Sequence, residues 1–106
     1  MLKIALATCA ILLLAPTAGQ ASVRNYFLPN VEGARLDSCL AGQNDCGKPA
    51  ADAFCVTQGY TQALIFQREP ASSTRQLGSN LMCTTGSCIS FRQIKCTSPA
   101  DLATNQ

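Results

Sequence analysis

Six cysteines in a short chain are the feature that most limits how this sequence can fold. They remain when residues 1–21 of the 106 are set aside. In the remaining 85 residues, the free energy gained by burying apolar surface only slightly exceeds the cost of lost chain entropy. Three disulfides at about 2–4 kcal/mol each would supply a large share of a total stability that is typically about 5–15 kcal/mol. The chain is therefore predicted to depend on disulfides. The six cysteines are Cys39, Cys46, Cys55, Cys83, Cys88 and Cys96.

Residues 1–21 have the three-part pattern of a secretory signal peptide. Lys3 precedes a mostly apolar run, and small residues end the segment at Ala21. The run, residues 4–15, is too short to cross a bilayer, which needs about 20 apolar residues. We therefore predict cleavage after Ala21, a mature chain that begins at Ser22, no membrane span, and a secreted or periplasmic location.

Two other uses of the cysteines are alternatives to disulfides. Cys9, the seventh cysteine, follows a segment that superficially resembles a lipobox, but Thr8 stands where a lipoprotein would have a small Gly or Ala. Zinc sites typically use two pairs of cysteines that are close together in the sequence, and only Cys83 and Cys88 approach such a spacing. Disulfides are favoured over both alternatives, and no cofactor or metal is expected.

The pairing of the six cysteines cannot be chosen from their spacing, because six allow 15 combinations. Two pairs of neighbouring cysteines flank turn-forming residues, and a further pair would join a helix to the last strand. The set that we predict is Cys39–Cys46, Cys83–Cys88 and Cys55–Cys96.

The clearest local signal is that of a helix over residues 49–58. Pro49 occupies a favoured first position, Asp52 would be an acid in the first turn, and Gly59 follows the end. A ten-residue helix is marginal alone in water, so its face with Cys55 must pack against another element. That element is predicted to be the next segment, a strand over residues 60–67 that is apolar on both faces and therefore central.

The rest of the chain predicts short strands and turns. At most one short strand is expected before residue 37, and residues 68–73 form a polar loop. Residues 81–83 and 88–91 are predicted to form a hairpin. The last strand runs to Cys96, with a bulge near Arg92. Without that bulge, Phe91 and Ile94 would point to opposite faces, since they are three residues apart.

These elements predict one α+β domain over residues 22–98. Its single short helix packs on a small, mostly antiparallel sheet, and three disulfides stabilise the whole. Residues 99–106 are predicted to form a flexible C-terminal tail, because they are polar and follow Pro99.

The composition removes several classes of catalysis. The chain has no histidine, so Ser-His-Asp and Cys-His mechanisms and imidazole ligation of metals are excluded. A pair of carboxylates, as glycosidases use, is the remaining possibility for an enzyme, and nothing in the spacing pairs them. We expect a protein that is not an enzyme, with a small carboxylate-dependent hydrolase as a remote alternative. The candidate carboxylates are Glu32, Asp37, Asp45, Asp52 and Glu69.

Basic residues outnumber acids in the second half of the mature chain, where Glu69 is the one acid between Tyr60 and Cys96. They are candidates for a ligand-facing surface, although scattered solvated charges that protect edge strands from aggregation are the favoured explanation. The mature chain has a net charge near +1, which gives no electrostatic reason to expect nucleic acid or an anionic membrane as the main partner. The candidate residues are Arg68, Arg75, Arg92 and Lys95.

Three segments together resemble a set of small secreted cysteine-rich proteins. They are Leu36-Asp37-x-Cys39, Cys46-Gly47-x-Pro49-Ala50-Ala51-Asp52-Ala53-Phe54-Cys55-x-x-x-Gly59-Tyr60 and Phe91-x-x-Ile94-x-Cys96. The resemblance covers most of the mature chain, and it transfers no activity. The helix is more loosely similar to helices of scavenger-receptor and lectin-like domains, whose hallmark tryptophans this chain lacks, so no residue is carried over.

The expected function is non-catalytic binding at or outside the cell envelope, with a surface glycan or a protein as ligand. The main alternative is a secreted inhibitor of a hydrolase, because a disulfide-rich fold holds a loop rigid and so lowers the entropic cost of binding. The inhibitory loop would be residues 42–45 or residues 68–73.

Overall fold

The computed structural model describes residues 22–41 and 44–99, in which one helix and seven strands form the predicted α+β arrangement. The predicted signal peptide, residues 1–21, and all but the first residue of the predicted tail lie outside the described residues. The elements are β1 (Ser22–Phe27), β2 (Asn30–Val31), β3 (Ala34–Arg35), α1 (Lys48–Thr57), β4 (Gln62–Ala71), β5 (Thr74–Arg75), β6 (Met82–Cys83) and β7 (Cys88–Ser98).

The last strand, β7, is the centre of the main sheet. This sheet has the order β1-β7-β4 with both pairings antiparallel, while β2 pairs with β3 and β5 with β6 in two small sheets. The prediction that the strand after the helix is central is therefore wrong. Within β4, the register shifts between Ala63 and Ile65, so Leu64 is an extra residue; Leu64 is 56% exposed and Ile65 49% exposed, so the strand is not covered on both faces. A short apolar run can line an edge strand as well as a central one, so its composition did not decide the position.

A bulge in β7 brings two large apolar side chains into the same core, as predicted. Gln67 lies opposite Gln93 and Arg68 lies opposite Phe91, which leaves Arg92 as the extra residue. Phe91 and Ile94 are consequently both fully buried although they are three residues apart.

Arg35 stabilises the strand at this bulge. Its guanidinium donates to the main-chain carbonyl of Phe91 at 2.9 Å and to the Glu69 carboxylate at 2.8 Å. The first hydrogen bond satisfies a carbonyl next to the interrupted ladder, and the second joins the β3 segment to β4. Arg35 thus connects the small β2-β3 sheet to the main one.

Helix α1 packs on the main sheet through small side chains and one ring. Ala50, Ala51, Phe54 and Cys55 are its buried residues, and the Phe54 ring meets the Tyr26 ring edge-on at 5.2 Å. The helix starts one residue before the predicted position because Gly47, at φ 77°, turns the chain into it.

Asp52 has a different role from the one predicted. Since α1 begins at Lys48, Asp52 lies beyond the first turn, and its carboxylate accepts a hydrogen bond from the Ala63 N–H at 2.8 Å. Lys48 Nζ donates to the Ala63 carbonyl at 3.3 Å and to Asp52 at 3.0 Å. These two side chains therefore occupy the outward-facing main-chain groups of the β4 edge at Ala63.

Three other predictions about strands and loops are corrected. The segment before residue 37 holds three short strands instead of one at most. Residues 68–71 belong to β4, and an edge strand tolerates Pro70 when the missing N–H faces away from the sheet. Residues 81–83 do not form a hairpin with the last strand, because β6 pairs with β5 and β7 pairs with β4 and β1.

All three disulfides have the predicted pairing. Two close short loops at sequence separations of 7 and 5, and the third joins α1 to β7 at a separation of 41. Disulfides of this density fit an oxidising compartment. Within residues 22–41 and 44–99, no helix has the length and hydropathy needed to cross a membrane. The pairs are Cys39–Cys46, Cys83–Cys88 and Cys55–Cys96.

The disulfide between α1 and β7 is expected to contribute most to stability. Replacing Cys55 and Cys96 by alanine should cost about 4 kcal/mol and replacing Cys83 and Cys88 about 2 kcal/mol, because the longer loop restricts the unfolded chain more. Urea unfolding of the two double variants measures the difference. Equal losses, or a larger loss from the Cys83–Cys88 pair, would contradict the assignment.

Candidate functional site

An open groove of about 510 Å³ lies beside the start of β7. One wall comes from the segment after β3, the other comes from the β6 region and the loop that follows it, and the first residues of β7 complete the lining. The lining residues are Asp37, Ser38, Cys39, Gln76, Leu81, Met82, Cys83, Thr85, Ser87, Cys88 and Ile89.

Two disulfides fix the walls of this groove. Cys39–Cys46 closes the loop on one side, and Cys83–Cys88 closes the loop of residues 84–87 on the other. Hydroxyl groups brace the second loop further, since the Thr85 and Ser87 side chains are hydrogen-bonded at 2.9 Å. Disulfides therefore constrain segments on both sides of the groove.

Asp37 connects the two sides of the groove through hydrogen bonds. It is 9% exposed, its N–H donates to the Arg75 carbonyl at 2.9 Å, and its Oδ1 accepts from the Cys39 N–H at 2.8 Å. The buried Thr74 hydroxyl donates a hydrogen bond to Oδ2. Both carboxylate oxygens thus have a donor, as a buried carboxylate requires. The long-range contact with Thr74 holds β5, and through it β6, against the segment after β3.

The surface of the groove is amphipathic and carries no free charge. Asp37 is the one charged residue among the described lining residues, and its oxygens are already hydrogen-bonded. Leu81 is 58% exposed, Met82 44% and Ile89 38%. Hydroxyls and the Gln76 amide supply polar groups between these side chains, and no aromatic ring is present among the lining residues.

None of the basic residues singled out in the sequence is a lining residue, although Arg75 adjoins the groove through its pairing with Met82. Arg68 and Arg92 are exposed and lie on neighbouring strands at the β7 bulge. Arg75 is half-buried on β5, opposite Met82, in a different sheet. Lys95 is half-buried on β7 between Asn25 and Ile65. Of the four, only Arg68 and Arg92 are close in the strand register, because Arg68 lies opposite Phe91, the neighbour of Arg92.

The candidate carboxylates are engaged in structural contacts at three of their positions. Asp37 bonds to Thr74 and Cys39, Asp52 to Lys48 and Ala63, and Glu69 to Arg35. Among the described residues, no group of three or more potential metal-ligating side chains is present. Glu32 and Asp45 are exposed on the surface.

Of the two loops proposed from the sequence for an inhibitor, residues 68–73 are mostly strand, and residues 42–45 stay a prediction. Residues 68–71 are in β4, and part of the other loop, residues 42–43, lies outside the described residues. The exposed, disulfide-closed loop of the structure is residues 84–87. Its cysteines and turn residues were recognisable in the sequence, but its position opposite Asp37 depends on the contact with Thr74, which is 37 residues away.

Comparison with known proteins identifies no relative of this chain. No family model, no curated protein and no solved structure matches it. Its function is therefore inferred from the geometry of the groove.

The hydrogen bond between Thr74 and Asp37 is expected to be required for stability and for the shape of the groove. Thr74→Val keeps the volume and removes the donor, so the buried carboxylate oxygen loses its partner at a cost of about 1–3 kcal/mol. Thr84→Val, at an exposed position, should stay within about 0.5 kcal/mol of the unmodified protein. Urea unfolding compares the two, and a neutral Thr74→Val would show that the contact is not needed.

Proposed function

We propose that this protein is a non-catalytic binding protein that acts at or outside the cell envelope and holds a segment of a protein partner in the groove. The observation that carries the proposal is the combination of exposed Leu81, Met82 and Ile89 with walls fixed by two disulfides. Side chains of this size are costly to leave in water, and a partner that covers them gains about 25 cal/mol per Å² of apolar surface removed from solvent.

The chemistry of the lining favours a peptide segment over a sugar. Neutral apolar side chains interspersed with hydroxyls and an amide match the alternation of side chains and amide groups in a polypeptide. Sugar rings are commonly bound against aromatic faces, and the lining residues include none. An anionic ligand would find no free cation in the groove, since the described lining contains no Lys or Arg.

The covalent framework supports binding by lowering its entropic cost. Loop residues that are already ordered lose little freedom when a partner docks, so more of the contact energy appears as affinity. The Cys83–Cys88 disulfide and the bond between Thr85 and Ser87 order one wall in this way. Ser38 and Gly47, joined by a main-chain hydrogen bond of 2.8 Å, order the base of the other.

The location is part of the same proposal. A signal peptide over residues 1–21 and three disulfides in the domain that follows are both typical of proteins exported to the periplasm or the medium. The partner is accordingly a protein of the envelope or the exterior.

A second candidate function, inhibition of a hydrolase, is favoured by the loop of residues 84–87. All four residues are exposed, and the disulfide at their ends constrains a short loop that could enter the cleft of an enzyme. The two functions use different atoms, because an inhibitor presents the outer side of the loop and a binding protein uses the groove behind it. Thr84 belongs to the first surface and Leu81 to the second.

The groove is tested by replacing one of two leucines of nearly equal exposure. Leu81→Asp introduces a charge into the groove, while Leu64→Asp introduces the same charge on β4, outside it. Leu81→Asp should weaken partner binding at least about tenfold, or 1.4 kcal/mol, and Leu64→Asp should leave it unchanged. The measurement is retention of extracytoplasmic proteins on immobilised oxidised protein, followed by titration of the retained partner.

The same experiment separates the alternatives. Binding to anionic polysaccharide resin could survive Leu81→Asp and be lost in the double variant of Arg68→Ala and Arg92→Ala. That result would place the binding site at these two arginines and make the ligand a glycan. Inhibition of a hydrolase that is abolished by Thr84→Glu and kept by Leu81→Asp would establish the second candidate. Turnover of a substrate lost in a single carboxylate variant would show that the protein is an enzyme.

A further inference from the structure

The two edges of the main sheet differ in how they are protected. On β4, the main chain of Ala63 is occupied by Asp52 and Lys48, and Pro70 removes a donor further along. Natural sheets use such charged residues and prolines to prevent pairing with other chains. On β1, none of the described residues pairs with the edge that faces away from β7, and the strand contains neither proline nor bulge.

The outward-facing main-chain groups of β1 follow from one hydrogen bond. The Leu28 N–H donates to the Arg92 carbonyl at 2.9 Å, in register with the pairing of β1 and β7. Hydrogen bonding alternates along an antiparallel strand, so Arg24 and Tyr26 also bond to β7. The N–H and C=O groups of the intervening residues consequently point away from the sheet. These residues are Val23, Asn25 and Phe27.

The side chains of β1 give this edge an apolar outer face. Tyr26 contacts Phe54 of the helix, so Val23 and Phe27, which alternate with it, lie on the opposite face of the sheet. They are 51% and 68% exposed. An unpaired strand edge and two exposed apolar side chains of the same strand therefore coincide.

We propose that two copies of this protein pair through β1 in an antiparallel, two-fold symmetric arrangement centred on Asn25. In this register Val23 lies opposite Phe27 of the second copy, and about six main-chain hydrogen bonds join the outward-facing groups. The two sheets become one continuous sheet of six strands. A pairing in which the main chains of Arg24 and Tyr26 bond to the second copy is excluded, because these groups already bond to β7.

The register also matches side chains on the helix side. The Arg24 guanidinium lies 5.0 Å from the centre of the Tyr26 ring within one copy. In the dimer, Arg24 comes to lie opposite Tyr26 of the second copy, so each ring has a cation from both chains within reach. On the outer face, the two pairs of valine and phenylalanine are cross-strand contacts of a favourable kind.

The dimer leaves both grooves accessible. β1 covers β7 only from Gln93 to Ser98, whereas the groove is lined by Cys88 and Ile89 at the other end of that strand. Two grooves on one rigid sheet would engage a repetitive or dimeric partner with increased avidity. A pair of short strands is a small interface, so the dimer is expected to dissociate on dilution.

Hydrogen exchange resolved by residue tests the pairing directly. The oxidised, exported protein is measured at about 10 µM and about 1 mM, with its mass followed by light scattering. The amides of Val23, Asn25 and Phe27 should exchange at least about tenfold more slowly at the higher concentration, while those of Arg24 and Tyr26 should be protected at both. A monomer at both concentrations, or concentration-dependent protection without this alternation, would overturn the proposal.

Variants that introduce lysine provide the matched comparison. Replacing Val23 and Phe27 by lysine places like charges opposite each other in the dimer and should yield a monomer at about 1 mM. Ile65→Lys, at 49% exposure on the far strand, should leave the dimer intact. Leu81→Asp should also leave it intact, which separates this proposal from groove binding. A dimer that survives the double lysine variant would overturn the pairing.

Discussion

The covalent bond between Cys55 and Cys96 is the constraint on which the rest of the molecule depends. It attaches the one described helix to β7, the strand that both β1 and β4 pair with, and both cysteines are fully buried. The apolar core around it is small, with Phe54, Phe91 and Ile94 as its largest members besides Leu36. A core of this size leaves a thin margin over the entropy of the unfolded chain, so the disulfide supplies what additional burial would supply in a larger domain.

Local patterns in the sequence predict some parts of this fold and not others. The helix and the bulge at Arg92 follow from local patterns: a proline and glycine at the ends of a segment, and two apolar residues spaced three apart. The predicted cysteine pairs match the structure, although their spacing alone leaves 15 combinations open. The order of strands does not follow from such patterns. The run of residues 63–66 is compatible with a central or an edge strand, and only the length of β7 and its two partners decide between them.

The groove depends on contacts that no local pattern contains. Asp37 meets Thr74 across 37 residues, and this hydrogen bond brings the two short disulfide loops to opposite sides of one depression. The sequence marked Asp37 only as one of several carboxylates, and it marked the basic residues because of their number. In the structure the buried carboxylate positions main chain, and the exposed apolar side chains of residues 81, 82 and 89 form the surface that a partner would cover.

A disulfide map of the oxidised protein shows whether the cysteines pair as the fold requires. Without reduction, trypsin should release residues 76–92 as one peptide two hydrogens lighter than its sequence mass, and residues 96–106 joined to the peptide that contains Cys55. Further cleavage before Asp45 and Asp52 should leave Cys39 joined to Cys46 and Cys55 joined to Cys96. A link from Cys96 to any other cysteine, or free thiols in the folded protein, would contradict the account.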